Sequence, residues 1–341
     1  MSGEVIVRQA GPAMSLQDAG RPGYRAQGIT RGGAADPLAL QEAAVLLRQS
    51  PDLAAIEMNG NGGRFEATQD TAVALTGAEM AATLDGAPLA PNACHAWPRG
   101  ATLAIGGARA GTYGYLSVAG GFDGDPVMGS RAAHLTAEIG RLLETGDRLP
   151  FGNASGSPRC GWQLRPDSRL AGGTVRIVAS MQTGAFTKEM RNRFSETRFV
   201  RDARANRQGV RLSHDGEGFA AADGLGIVSE VIVPGDIQIT GDGAPYVLMC
   251  ECQTTGGYPR IGTVIPADLP LVAQAPAGAL IRFEFMSLEE AIAIERRARA
   301  ALKALPDRLH PLVRDPHDIP DLLGYQLVGG VVSATADPYS D

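Results

Sequence analysis

Short apolar runs separated by Gly- and Pro-containing turns dominate the pattern of the chain. Glu4–Arg8 alternates apolar and polar side chains, as a half-buried strand does. Ala72–Thr76, Thr102–Ile105 and Tyr113–Val118 are further strand-length runs, with Gly-rich turns expected between them. A helical period shows in Leu40, Ala43, Ala44 and Leu47, which share one face. Asp36-Pro37 opens that helix, because Asp caps an N-terminus well and Pro suits the first helical position. Ser50-Pro51 ends it. Strands resume at Thr174–Ala179, Gly226–Val233, Tyr246–Glu251 and Ala279–Met286. Ser287 with Glu290 forms a capping box at the start of a last helix, which should run to Leu305, before Pro306.

The runs group into two units, residues 1–150 and 174–305, joined by a linker at 151–173 and followed by a tail at 306–341. The linker rests on Phe151–Pro158, poor in apolar residues and rich in breakers. Leu327–Val332 in the tail is apolar enough to add an edge strand or dock on the body. Pro98–Ile105 and Pro276–Phe283 echo one another, each a Pro-x-Gly turn feeding a strand late in its unit. Such turns are common chemistry, so the echo leaves chance and internal duplication both open.

Composition sharpens this picture. With 341 residues, 44% hydrophobic and 20% charged, the chain can bury sizeable cores and lacks a disordered profile. Its 44 glycines and 22 prolines favour a turn-rich, mainly β fold with a few helices. A net charge of -6 argues against general affinity for nucleic acid or anionic membrane. Met1–Ala10 has no apolar run of the signal-peptide kind, and no stretch approaches the ~20 apolar residues of a membrane span. A cytoplasmic protein with reduced cysteines is expected.

No Walker A sequence, no Gly-x-Gly-x-x-Gly between strand and helix and no Gly-x-Ser-x-Gly occurs. Cys250 and Cys252 should share one face of a strand as small buried residues, and no metal site is expected from them or from the five histidines. Three polar segments crowded among glycines are candidates for chemistry. Gln17-Asp18-Ala19-Gly20-Arg21-Pro22-Gly23-Tyr24 lets a carboxylate and a guanidinium grip a polar substrate, or is a tight turn with an ion pair. Glu251-Cys252-Gln253-Thr254-Thr255-Gly256-Gly257-Tyr258 offers hydroxyls and free N–H groups for an anion, with Glu251 as base; alternatively it is a bulge and turn with Tyr258 packed on the core. Arg207 and Arg211 clamp an anion, or one is a structural ion pair and the other solvated.

These same segments carry a resemblance. Gln17-Asp18-x-Gly20-Arg21-x-Gly23-Tyr24, Gly33-Ala34-x-Asp36, Gly129-Ser130-Arg131 and the specific run Gln253-Thr254-Thr255-Gly256-Gly257-Tyr258-Pro259 resemble the allophanate-hydrolase-subunit-2 family. The likeness spans roughly residues 5–295. It implies two cyclophilin-like β-barrel halves related by duplication. Stand-alone members resemble the C-type subunit of an ATP-dependent 5-oxoprolinase, working with subunit-B-like and subunit-A-like partners on a small polar amide. ATP would then bind at, or be shared with, a partner. Fused members are the carboxyltransferase part of urea carboxylase, and a non-catalytic regulatory subunit is a third possibility. Biotin would not be attached here, since neither Lys188 nor Lys303, the only lysines, sits in a Met-Lys-Met-type turn. The implied site is a cleft between the halves. Asp18, Arg21, Glu251 and Arg207 would be its catalytic residues, and Gln17, Tyr24, Arg211, Gln253, Thr254, Thr255, Gly256, Gly257 and Tyr258 its substrate-binding ones. Glu251 stands where the family has Asp, and Ser180-Met181-Gln182 where it has Gly-Pro-Gln, which bears on substrate identity.

Overall fold

The structure, a computed structural model, describes residues 3–165, 168–222 and 228–313. It is mainly β. The first half builds an eleven-stranded sheet around two long antiparallel strands, Thr71–Leu84 and Thr102–Val118. The second closes a seven-stranded barrel, begun by Gly173–Val178 and completed where that strand pairs in parallel with Leu280–Phe285.

The sequence pattern cuts those two long strands into pieces, because it reads their glycines as turns. Gly106, Gly107, Gly111 and Gly114 instead lie inside one strand. The strand bends there: its register against Thr71–Leu84 shifts between Gly77 and Ala82. A Cβ on Gly114 would sit 2.2 Å from the Met80 sulfur, so glycine here permits close approach across the bulged ladder. Gly100 and Gly278, in the echoing turns, both take the left-handed conformation, and the strands they feed begin at Thr102 and Leu280.

The first helix runs Pro37–Leu47, with the Asp36 side chain accepting the Leu38 N–H. The last runs Leu288–Lys303 behind its Ser287–Glu290 capping box. Helices Lys188–Glu196 and Leu269–Gln274 carry too short an apolar period to be read from sequence. Of the expected strand Gly226–Val233, residues 226–227 lie outside the described residues and only Glu230–Val231 is strand. Tyr246–Glu251 shortens to Pro245–Leu248, so Cys250 and Cys252 lie in the turn beyond it rather than on one strand face. The segment expected as a linker holds structure of its own. Trp162–Leu164 joins the first sheet, where Leu309–Pro311 pairs with it. The stretch Leu327–Val332 lies outside the described residues. No described helix is long and apolar enough to cross a membrane.

The barrel packs around Phe194, Phe199, Phe219 and Phe283, with Phe194 and Phe283 stacked at 5.1 Å. Its core continues without a break into the first half through Ala34, Ala39, Leu40, Ala55, Tyr113 and Tyr115. Gln274, fully buried, crosses the same boundary: its Oε1 accepts the Thr112 and Tyr113 N–H groups at 2.9 and 3.0 Å.

Candidate active site at the junction of the halves

Two glycines shape the wall that the first half contributes. Gly20 and Gly33 have φ of 79° and 80°, the left-handed region, and their strands of loop lie against each other. Arg21 N–H donates to Arg31 O at 2.8 Å and Ala34 N–H to Asp18 O at 3.0 Å. A Cβ on Gly33 would stand 2.7 Å from Gly20 N, so no larger residue fits without moving backbone. The loop then docks on the second half, where Gly32 N–H donates to Cys250 O at 3.2 Å.

Arg207 fastens this junction from the barrel side. Its Nε donates to Glu251 Oε1 at 2.6 Å, Nη1 to Glu57 Oε1 and Nη2 to Gly33 O at 2.5 Å. All three charged groups are buried. Burial works against the guanidinium charge, but the Glu57 and Glu251 carboxylates around it outweigh that and raise its pKa well above the ordinary value. Glu57 Oε2 accepts the Tyr115 hydroxyl at 2.7 Å and the Ala35 N–H at 2.8 Å. Burial, then Glu57 and Asp36, push the Tyr115 hydroxyl up, so it stays a donor. Glu251 Oε2 accepts the Thr136 N–H and hydroxyl, both at 3.2 Å.

His134 lies 4.0 Å from the same Glu251 oxygen. Its Nδ1 accepts the Ala137 N–H at 3.2 Å, which assigns the proton to Nε2, 2.9 Å from the Thr30 hydroxyl. Burial lowers its pKa against the opposing pull of Glu251, so the ring is neutral. Neither Glu57 nor His134 stands out in the sequence. Glu57 is one polar residue within a strand, and His134 has no spacing partner.

The remaining expected residues divide. Asp18 is at the junction, where its carboxylate accepts from Gly20 N–H at 2.7 Å and from the Ser130 hydroxyl and Arg131 N–H, both at 2.6 Å. Arg21 is buried and donates to Ala132 O through Nη2, leaving Nη1 without a partner among the described residues. Desolvation lowers its pKa, with Asp18 and Glu251 opposing. Gln17, expected at the substrate, is fully buried and donates to Ser15 Oγ at 2.9 Å and Ala133 O at 3.1 Å. Tyr24, half-buried, opens a single turn at Arg25–Gln27. Arg211 is not part of the junction: it pairs with Asp242 and lies 3.9 Å from Asp202 at the barrel surface.

A cleft of about 310 Å³ opens between the halves, lined among others by Asp18, Ala19, Gly32, Leu40, Met249 and Cys250. Of the residues expected there, Asp18 lines it, and Gln17, Arg21, Tyr24, Arg207, Arg211, Glu251 and residues 253–258 do not. Thr255–Gly256 instead pairs with Glu230–Val231, with Gln253 and Tyr258 exposed beside it rather than Tyr258 packed on the core. Arg25 ties this ribbon to the first half by donating to Ile232 O. Beneath Gly256 lies Gln238, whose buried Nε2 has no partner among the described residues and would stand 2.6 Å from a Cβ at that position. The paired carboxylates of the junction therefore hold a preorganised wall, whereas Arg21 Nη1 and Gln238 Nε2 retain unused hydrogen-bonding capacity.

A mainly β chain with a closed barrel in its second half and a cleft at the junction fits a carboxyltransferase-type domain. The chain belongs to the family described as carboxyltransferase domain, subdomains A and B, which matches residues 27–285. It is 34% identical over 310 residues to the C-type subunit of Escherichia coli 5-oxoprolinase, covering 89% of this chain and 98% of that protein. Urea amidolyase of Saccharomyces cerevisiae is 28% identical, over 86% of this chain and 17% of that one. Among solved structures, the K. lactis urea amidolyase superposes with a TM-score of 0.79 at 24% identity, over 92% of this chain and 21% of that chain, and so shares the fold.

Proposed function

We propose that the chain is the C-type subunit of an ATP-dependent 5-oxoprolinase, opening a cyclic amide to glutamate together with subunit-A-like and subunit-B-like partners. One observation carries this reading: the match to the C-type subunit of a 5-oxoprolinase extends over 98% of that protein. The junction chemistry is compatible with it. A small lactam fits a cleft of about 310 Å³. Asp18 lines that cleft and can hold a polar group of the substrate there, whereas Arg21, on the same loop, is buried and does not line it. Arg207 holds the loop that carries Asp18 and Arg21, so it acts as a positioning residue. Asp18, which lines the cleft and whose Oδ2 accepts only the Arg131 N–H among the described residues, keeps acceptor capacity to serve as base, whereas Glu251 is buried against Arg207 and Thr136 and does not line the cleft.

Among the described residues this cleft is lined by one cation, Arg31, against Asp18 and Asp52, which supports ATP bound at, or shared with, a partner subunit. The family description favours a second reading, carboxyl transfer from another protein's biotin to urea or a related amide.

Reconstitution separates the two. The chain with its candidate A-type and B-type partners, 5-oxoproline and ATP should release glutamate and ADP, whereas the chain alone should release neither. A complete assembly that yields no glutamate, yet carboxylates urea when given a carboxybiotin carrier, overturns the first reading in favour of the second.

A further inference from the structure

The sulfurs of Cys94 and Cys160 stand 3.7 Å apart. Cys94 is fully buried in the strand Ala93–Trp97, while Cys160 is exposed in the segment leading into Trp162–Leu164. The backbone fixes this juxtaposition. Gly161 N–H donates to Cys94 O at 2.9 Å, and Gln163 pairs with Ala93 one step along. On the other side, Arg159 N–H donates to Leu46 O at 2.9 Å and its guanidinium to Val45 O at 2.8 Å, holding the segment on the end of helix Pro37–Leu47. A disulfide needs the sulfurs at ~2.05 Å, a shift of less than ~2 Å that side-chain rotation at an exposed residue can supply.

We propose that Cys94 and Cys160 are a reversible redox pair that closes to an intrachain disulfide when the protein meets a hydroperoxide. The accessible Cys160 thiol attacks the peroxide, giving a sulfenic acid and releasing water (or an alcohol). The Cys94 thiol then displaces the sulfenic hydroxyl as a second water, so two thiols are oxidised and one peroxide is reduced. A dithiol reverses the change by exchange. Burial, then the neighbouring Cys160, raises the Cys94 pKa, which gives the first attack to Cys160 and resolution to Cys94. The closed bridge pins Trp162–Leu164, and with it Leu309–Pro311, onto the first sheet.

The test treats the full chain with hydrogen peroxide, denatures it, blocks free thiols and maps the peptides. The expected product is about 2 Da lighter before blocking, has two fewer blockable thiols and yields one Cys94–Cys160 cross-linked peptide that a dithiol releases. Cys160→Ser should keep every remaining thiol free. Cys94→Ala should accumulate a Cys160 sulfenic acid that a cyclic 1,3-dione traps. Three results would each overturn the proposal: no change at Cys160, a sulfinic acid there with Cys94 still free, or a dimer linked through Cys160.

Discussion

Arg207 has two carboxylates and a carbonyl around a single guanidinium, all out of water. Such an arrangement contributes little net stability when intact, yet losing its cation is expensive because two like charges remain buried. Arg207→Ala should therefore destabilise the chain by about 3–5 kcal/mol, read as a lower denaturant midpoint, and Arg207→Lys should recover only part of that, since an ammonium cannot fork to three acceptors. The same neighbourhood sets a pH response. His134 is held below its ordinary pKa of 6.5 by burial. As pH falls through 6.5, the unfolded chain takes up a proton that the folded one refuses, so stability drops until the lowered folded pKa is reached. Burial places His95 on the same slope. Carboxylates held low, such as Asp147, act only below their ordinary 3.8. Denaturation curves between pH 7 and 5 should thus show stability decreasing, with a shallower slope in His134→Gln and the remainder in His95. An unchanged slope in His134→Gln would remove this residue from the account. The sequence points to Arg207, Glu251, Asp18 and Arg21 through their crowding among glycines. That signal cannot separate a ligand contact from a buried structural bond, and neither can the resemblance, which places Gln17 at the substrate although the side chain lies sealed against Ser15 and Ala133.

Elements ended by strong local chemistry were legible, and those shaped by distant contacts were not. The Asp36-Pro37 and Ser287–Glu290 starts follow from capping alone and are found at those positions. The two longest strands were not readable as such, because their glycines are demanded by neighbours such as Met80 that lie far away in sequence. Glu57 was missed for the same reason: its partner Arg207 lies 150 residues away. The loop through Gly20 and Gly33 shows both kinds of signal at once. Its glycines marked it as a close-approach site, but only the packing shows that it is the loop's own backbone that approaches. Gly33→Ala would place a Cβ 2.8 Å from Asp18 O in a left-handed conformation. A cost of about 1–3 kcal/mol follows from the backbone strain alone. The loop that carries Asp18 and Arg21 must also shift, so activity of the reconstituted assembly should fall further than stability explains. Full activity in a folded Gly33→Ala protein would show that this loop's position does not matter to the reaction.

At the scale of the whole molecule, the sequence suggests two units and says nothing of a shared core. One apolar cluster includes barrel residues Val210, Met249 and Val272 together with Ala39, Leu40 and Tyr115 of the first half. Gln274 adds four buried hydrogen bonds across the boundary: it receives from Thr112 and Tyr113 N–H and donates to Asp36 Oδ2 and Tyr113 O, both at 2.8 Å. Neither half can open here without exposing the other's core and stranding these polar groups. Calorimetry should accordingly find one cooperative transition rather than two, with the calorimetric and van't Hoff enthalpies in agreement. Gln274→Leu keeps the side chain's bulk but leaves two backbone donors, a carbonyl and the Asp36 oxygen without this partner. At ~1–3 kcal/mol for each buried polar group left unsatisfied, it should lower the temperature of that single transition markedly. If the two halves instead melt separately in the parent chain, the continuous core does not couple them. The cleft would then be a hinge between independent bodies, and the positions of Asp18 and Cys250 across it would be set by the partner subunits rather than by this fold.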